Sequence, residues 1–127
     1  MLIMKVFLPI AVLSAVAMTP AFADCVAPTA SITIPDSTTA TKEELLATKK
    51  AINAYDADVQ NFTSCLSTEE EAAITALGDK AKPEQKANVQ KQYELRANNE
   101  VDKLHALADK LNVAIRAYKA RNPTPPT

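Results

Sequence analysis

Glycine is nearly absent from this chain, with Gly78 the single example among 127 residues, and tryptophan is missing altogether. One glycine cannot build the glycine-rich turn that cradles a phosphate, so nucleotide binding of that kind is excluded. His105 is the only histidine, and no serine or cysteine stands at a spacing that would make it the base of a nucleophilic pair. Asp102 and Asp109 share a helix face with His105, which sketches half of a metal site. Leu104 and Leu111 claim the inward face of the same helix, so the three polar residues are expected to point outward. No catalytic, cofactor-binding or metal-ligating set is assigned, and the chain reads as a non-enzyme.

Charge is also sparse in one sense: 14 basic residues nearly balance 15 acidic ones, leaving a formal charge of −1. Such a balance offers no electrostatic attraction to nucleic acid or to anionic membrane. No apolar run reaches the ~20 residues of a membrane span. The longest, Val6 to Met18, follows a lone positive charge at Lys5 and precedes Ala21-Phe22-Ala23. That order is the signature of a cleavable signal peptide, with cleavage expected after Ala23. A lipoprotein reading, with Cys25 lipidated, is disfavoured by Asp24 and Phe22 where small and leucine-like residues belong. Residues 1–23 are therefore expected to be removed, leaving a periplasmic or secreted chain of about 104 residues. Loss of Lys5 alone takes the formal charge from −1 to −2. A chain of this length makes one domain with a thin core.

Cysteine is limited to Cys25 and Cys65, both in the exported part. In an oxidising compartment the default for two cysteines is one intramolecular disulfide. The spacing is unlike a C-x-x-C redox motif, and intermolecular pairing or free thiols stand as the alternatives. A bridge closing a loop of this size contributes on the order of 3–4 kcal/mol.

Proline is absent from 36–82 and from 84–122, so two long segments rich in Ala, Leu, Lys, Glu and Gln are free of helix breakers. Thr41 and Glu44 form a capping box at the start of the first. Leu45, Ile52, Val59 and Leu66 then recur every seven residues, with Tyr55 and Phe62 between them. Gly78-Asp79 interrupts the pattern, with glycine suited to a helix end and aspartate to the next cap. Pro83 falls in the following first turn. A second stripe runs through Val89, Tyr93, Ala97, Val101, Leu104, Ala108, Leu111, Ile115 and Tyr118, and Asn122-Pro123 ends it. Pairing Leu45 with Ile115, Ile52 with Ala108, Tyr55 with Leu104, Val59 with Val101, Phe62 with Ala97 and Leu66 with Tyr93 places the midpoint at about residue 80, among the turn residues. The fold class is all-α: a long antiparallel hairpin over 41–122, each arm about 55 Å long at 1.5 Å per residue. Ser67-Thr68, just ahead of Glu69-Glu70-Glu71, is a candidate break in the first arm, and the triplet itself reads as a solvated face. Arg116, Lys119 and Arg121 suit the dipole at the end of the second arm. Residues 123–127 form a frayed tail.

Residues 24–40 carry Pro28 and Pro35 and the alternation Ile32-Thr33-Ile34, which reads as an extended leader. Sixteen steps of about 3.3 Å span roughly 53 Å, and the helix from Thr41 to Cys65 rises about 36 Å. The leader can therefore run back along the first arm, be stapled at Cys65 and lay Ile32 and Ile34 over the open side of the seam. Asn61-Phe62-Thr63 matches a glycosylation sequon, but Phe62 belongs to the expected core. The tyrosines Tyr55, Tyr93 and Tyr118 also sit on the seam, as core rather than as a ligand cage.

The order Cys25…Pro28…Ile34-Pro35-Asp36…Ala40-Thr41-x-Glu43-Glu44-Leu45, followed by Tyr55…Phe62-x-x-Cys65-Leu66, resembles small exported proteobacterial proteins of unknown function. Asn98-Asn99-x-Val101-Asp102 and Arg116-Ala117-Tyr118-Lys119-Ala120-Arg121 extend the resemblance. It implies a bacterial envelope protein with its two cysteines paired, and it carries no activity. The expected role is protein interaction or scaffolding, with a partner protein or a second copy bound to the hairpin. A small-molecule or lipid carrier, using a groove between leader and seam lined by the tyrosines, is the alternative.

Overall fold

The computed structural model describes residues 24–125, so the expected signal peptide lies outside the described residues, as do Pro126 and Thr127 of the tail. Two helices, α1 (Lys42–Ala76) and α2 (Pro83–Arg121), pack against each other as an antiparallel hairpin, and no strand is present among the described residues. Their 35 and 39 residues give arms of roughly 50–60 Å.

The start of α1 follows the expected capping chemistry. The Thr41 hydroxyl accepts from the Glu44 amide at 3.2 Å, and a Glu44 carboxylate oxygen accepts from the Thr41 amide at 2.8 Å. Two amide donors with no partner inside the helix are thereby satisfied. Asp36 aims the chain into this cap: its backbone carbonyl accepts from the Ala40 amide at 2.8 Å, and its side chain accepts from the Thr38 amide at 2.7 Å. The Thr38 hydroxyl, which also donates to this carboxylate, and the Thr38 amide together hold the Asp36 carboxyl below its ordinary 3.8.

The expected break at Ser67-Thr68 does not occur, and α1 runs through to Ala76. The Thr68 and Thr75 hydroxyls donate back to the carbonyls of Ser64 and Glu71, at 3.3 and 2.8 Å, instead of opening a new cap. A hydroxyl satisfied one turn back leaves the backbone ladder intact. Gly78 ends the arm with φ +78°, a conformation that disfavours a Cβ. Asp79 does not cap α2 as expected. Lys82 is the N-cap, and its amide donates to Gln85 Oε1 at 2.9 Å. Pro83 fixes this boundary, because the residue before proline is driven out of the helical region.

The buried face of α1 is Leu45, Thr48, Ile52, Tyr55, Val59, Phe62 and Leu66, a strict alternation of three and four residues. On α2 the matching face is rotated from the expected one. Glu100, Leu111 and Ala114 are fully buried, whereas Val101, Ala108 and Ile115 lie half-buried on the flank. With Tyr93, Ala97, Leu104, Leu107 and Tyr118, the buried Glu100, Leu111 and Ala114 make the same three-four alternation. The expected stripe advanced by four residues at successive steps from Val89 to Val101. Each such step turns about 40° past a full circle, so the stripe drifted off the contact face.

The core has two parts. Near the open end, Ala40, Leu45, Ile52, Leu111 and Ala114 are buried, with Ile32, Ile34, Leu104, Leu107, Ile115 and Tyr118 packed against them. Farther along, Cys25, Phe62 and Leu66 are buried against Tyr93 and Ala97. The expected pairings of Leu45 with Ile115, Phe62 with Ala97 and Leu66 with Tyr93 thus fall within shared clusters. The leader lies along the hairpin as its length allowed, and Cys25 is disulfide-bonded to Cys65.

Candidate functional site

Two features stand out from a mostly apolar core: a carboxylate buried between the arms, and a clasp that holds the leader.

Glu100 is 2% exposed. Tyr55, itself buried, donates its hydroxyl to Glu100 Oε2 at 2.8 Å. The Lys103 ammonium, one turn farther on, donates to Oε1 at 2.7 Å, and the Asn99 amide donates to the same oxygen at 3.3 Å. A buried carboxylate is tolerated only when paired and hydrogen-bonded, and here both oxygens are satisfied. Burial pushes the Glu100 carboxyl up, but the Lys103 hydrogen bond, the Tyr55 hydroxyl and the Lys103 charge outweigh it and hold the group below the usual 4.5. Burial pushes the Tyr55 hydroxyl up to about 12, helped by its bond to Glu100 and the carboxylate charge. Glu100 lies outside the expected stripe, which set Leu104 opposite Tyr55. The missed signal was the strict three-four spacing of residues 93, 97, 100, 104, 107 and 111, which includes the glutamate.

This pair sets a pH window. The lowered Glu100 stabilises the fold above its unfolded value near 4.5, and that contribution is lost as pH falls below it. The raised Tyr55 stabilises the fold below its unfolded value of 10.0, and that contribution is lost as pH climbs towards 12. Phenolate absorbance of the native protein minus that of Tyr55→Phe should therefore show one hydroxyl ionising near 12. A difference titration centred at the ordinary tyrosine value would show that this hydroxyl is not held by Glu100.

At the clasp, Arg96 joins three elements. It donates to the Cys25 carbonyl at 3.0 Å, pairs with Glu69 of α1 at 3.3 Å, and lies 5.5 and 5.9 Å from the Tyr93 and Phe62 ring centroids. A guanidinium over two aromatic faces adds a cation–π attraction to the ion pair. The acidic triplet is therefore not wholly a solvated face, since Glu69 is half-buried and engaged. At the other end of the leader, Arg121 donates to the carbonyls of Ser37 and Ala40, the latter at 3.1 Å. Its role is to tie the leader to α2, in addition to facing the helix dipole.

His105, Asp102 and Asp109 are all exposed, and no cluster of three metal-capable side chains occurs among the described residues. No described helix is long and apolar enough to cross a membrane. Beside the disulfide, an open groove of about 400 Å³ is lined by Val26, Ala27, Pro28, Thr29, Asp58, Asn61, Phe62 and Cys65. The tyrosines expected to line a ligand groove do not line this one. Tyr55 is buried in the seam, Tyr118 packs on the core, and Tyr93 borders a separate depression near the hairpin tip. No family model, curated protein or solved structure matches the chain.

Proposed function

We propose that this chain is an exported, non-catalytic interaction or scaffold protein of the bacterial envelope, working through the long side of its hairpin. The observation that carries this reading is asymmetry. The leader covers one flank of the hairpin, along Cys65, Arg96, Lys103 and Lys110. The other flank of α2 keeps Val101, Ala108 and Ile115 half-buried in a row at seven-residue spacing, and no third helix is present among the described residues to cover it. Such a row is the stripe that a further helix packs against in a bundle. The Cys25–Cys65 bridge supports an oxidising destination, in keeping with the signal-peptide pattern of residues 1–23 and the resemblance to exported proteobacterial proteins.

Light scattering of the oxidised chain from residue 24 onward, over a dilution series, tests the self-association form of this reading. A dimer that dissociates on dilution, and that is lost in Val101→Lys/Ile115→Lys, is the expected result. A monomer unaffected by these substitutions would leave the row without a second copy as its partner. A second reading, small-molecule or lipid binding, is favoured by the groove at Phe62 and Pro28, whose volume falls in the range of ligand sites. Native mass spectrometry after soaking in envelope extract should then show a retained mass, and a bare chain at every extract concentration would end that reading.

A further inference from the structure

We propose that the Cys25–Cys65 disulfide is an exchangeable latch, opened by a dithiol that attacks Cys65, and that the N-terminal half of the leader is the strap it releases. This goes beyond the interaction reading and does not depend on it.

The two sulfurs stand in different surroundings. Cys25 is 7% exposed and is packed with Phe62 and Leu66. Cys65 is exposed on the helix surface and lines the open groove of about 400 Å³, in which Cys25 takes no part. An incoming thiolate therefore reaches Cys65 and not Cys25. It forms a new S–S bond to Cys65 as the Cys25–Cys65 bond breaks, and Cys25 departs as a thiolate that takes a proton from water. The Arg96 guanidinium stays bonded to the Cys25 backbone carbonyl through the exchange, so this hydrogen bond alone still holds that end of the leader once the sulfur has departed. The donor's second thiol then attacks the mixed disulfide, leaving Cys65 as a thiol and the donor oxidised. Two electrons pass from the dithiol to the bridge.

The leader is anchored unevenly. Residues 36–40 are held by the Asp36 turn, by buried Ala40 and by both Arg121 bonds. Ile32 and Ile34 pack on the core. From Val26 to Ser31 only Pro28 is even half-buried, and Val26 is 84% exposed. Among the described residues, one hydrogen bond, from Arg96 to the Cys25 carbonyl, ties residues 24–35 to either helix. With the bridge cut, little opposes the conformational entropy of this segment. It swings away about Ile32 and uncovers Phe62, Leu66 and Tyr93, while the helices stay paired through their own seam.

Two measurements on the oxidised chain test this. Glutathione, quenched in acid early in the reaction and followed by peptide mass mapping, should leave its adduct on Cys65 with Cys25 as the free thiol. A predominant adduct on Cys25 would overturn the assignment. Backbone relaxation before and after dithiothreitol should show order parameters of residues 26–31 falling from about 0.85 to below about 0.6. Thr39 and Ala40 should keep theirs, and helical circular dichroism should not change. An equally rigid leader after reduction, or loss of the helical signal with it, would overturn the latch, and Cys25→Ser/Cys65→Ser should show the same mobile residues 26–31 and intact helical signal without any reductant.

Discussion

Truncating Phe62 to alanine is expected to lower unfolding free energy by about 3–5 kcal/mol, measured by denaturant titration of the oxidised protein. Phe62 is 5% exposed and shares its cluster with only four other side chains: Cys25, Leu66, Tyr93 and Ala97. So small a cluster has few neighbours able to shift into the space left behind. The ring also faces the Arg96 guanidinium, and that attraction disappears with it. Toward the tip, Ile74 and Val89 are only half-buried and Leu77 is exposed, and no residue from 67 to 92 is fully buried. Leu46→Ala provides the control. Leu46 is exposed on the outer surface of α1, and its loss should change stability by no more than about 0.5 kcal/mol. If the two substitutions cost the same, the packing described between the arms does not hold the hairpin together.

The second large effect concerns the buried pair, and it is an effect of non-additivity. Tyr55→Phe removes a hydrogen bond to a charged group and leaves Glu100 buried with Lys103 and Asn99, at a cost of about 1.5–3 kcal/mol. Glu100→Leu strands the buried Tyr55 hydroxyl without its acceptor, which should cost about 1–3 kcal/mol. The double substitution Tyr55→Phe/Glu100→Leu completes an apolar seam, and Lys103 is exposed enough to return its ammonium to water. It should be as stable as the native protein or exceed it by up to about 4 kcal/mol, as found when well-packed apolar groups replace buried ion pairs. A double substitution as damaging as the sum of the single ones would mean the two side chains do not depend on each other.

A polar residue at one seam position of a coiled coil specifies register and partner number at the expense of stability. Glu100 occupies such a position, and Tyr55 across the seam is its only acceptor-matched donor on α1. The stabilised double substitution should therefore show a broadened distribution of oligomers in light scattering. This links the buried pair to the interaction role proposed for the outer flank.

Much of the architecture is legible before any coordinates. The start of α1 follows from Thr41 and Glu44, because capping is chemistry between near neighbours in the chain. The turn follows from Gly78 and Pro83, whose backbone limits are intrinsic. The leader's path follows from its length and from the position of the only two cysteines. Where local rules compete, the reading fails. Ser67-Thr68 carries the composition of a cap, yet the hydroxyl of Thr68 is satisfied one turn back within a helix already under way. Asp79 is an acceptable cap, yet Pro83 draws the boundary to Lys82.

What the sequence alone determines is what depends on short-range chemistry and counting: two helices, one turn, one staple and an extended leader. The tertiary structure decides which face of α2 meets α1. That choice is made across the seam, where seven residues of one arm must interlock with the other. Glu100 can be buried there because Tyr55, 45 positions earlier, and Lys103 satisfy its two oxygens. Arg96 likewise becomes a clasp only when Cys25, Phe62, Glu69 and Tyr93 arrive around it from separate parts of the chain. Charge and polarity predict exposure residue by residue, and only assembled neighbours can satisfy a polar group well enough to bury it.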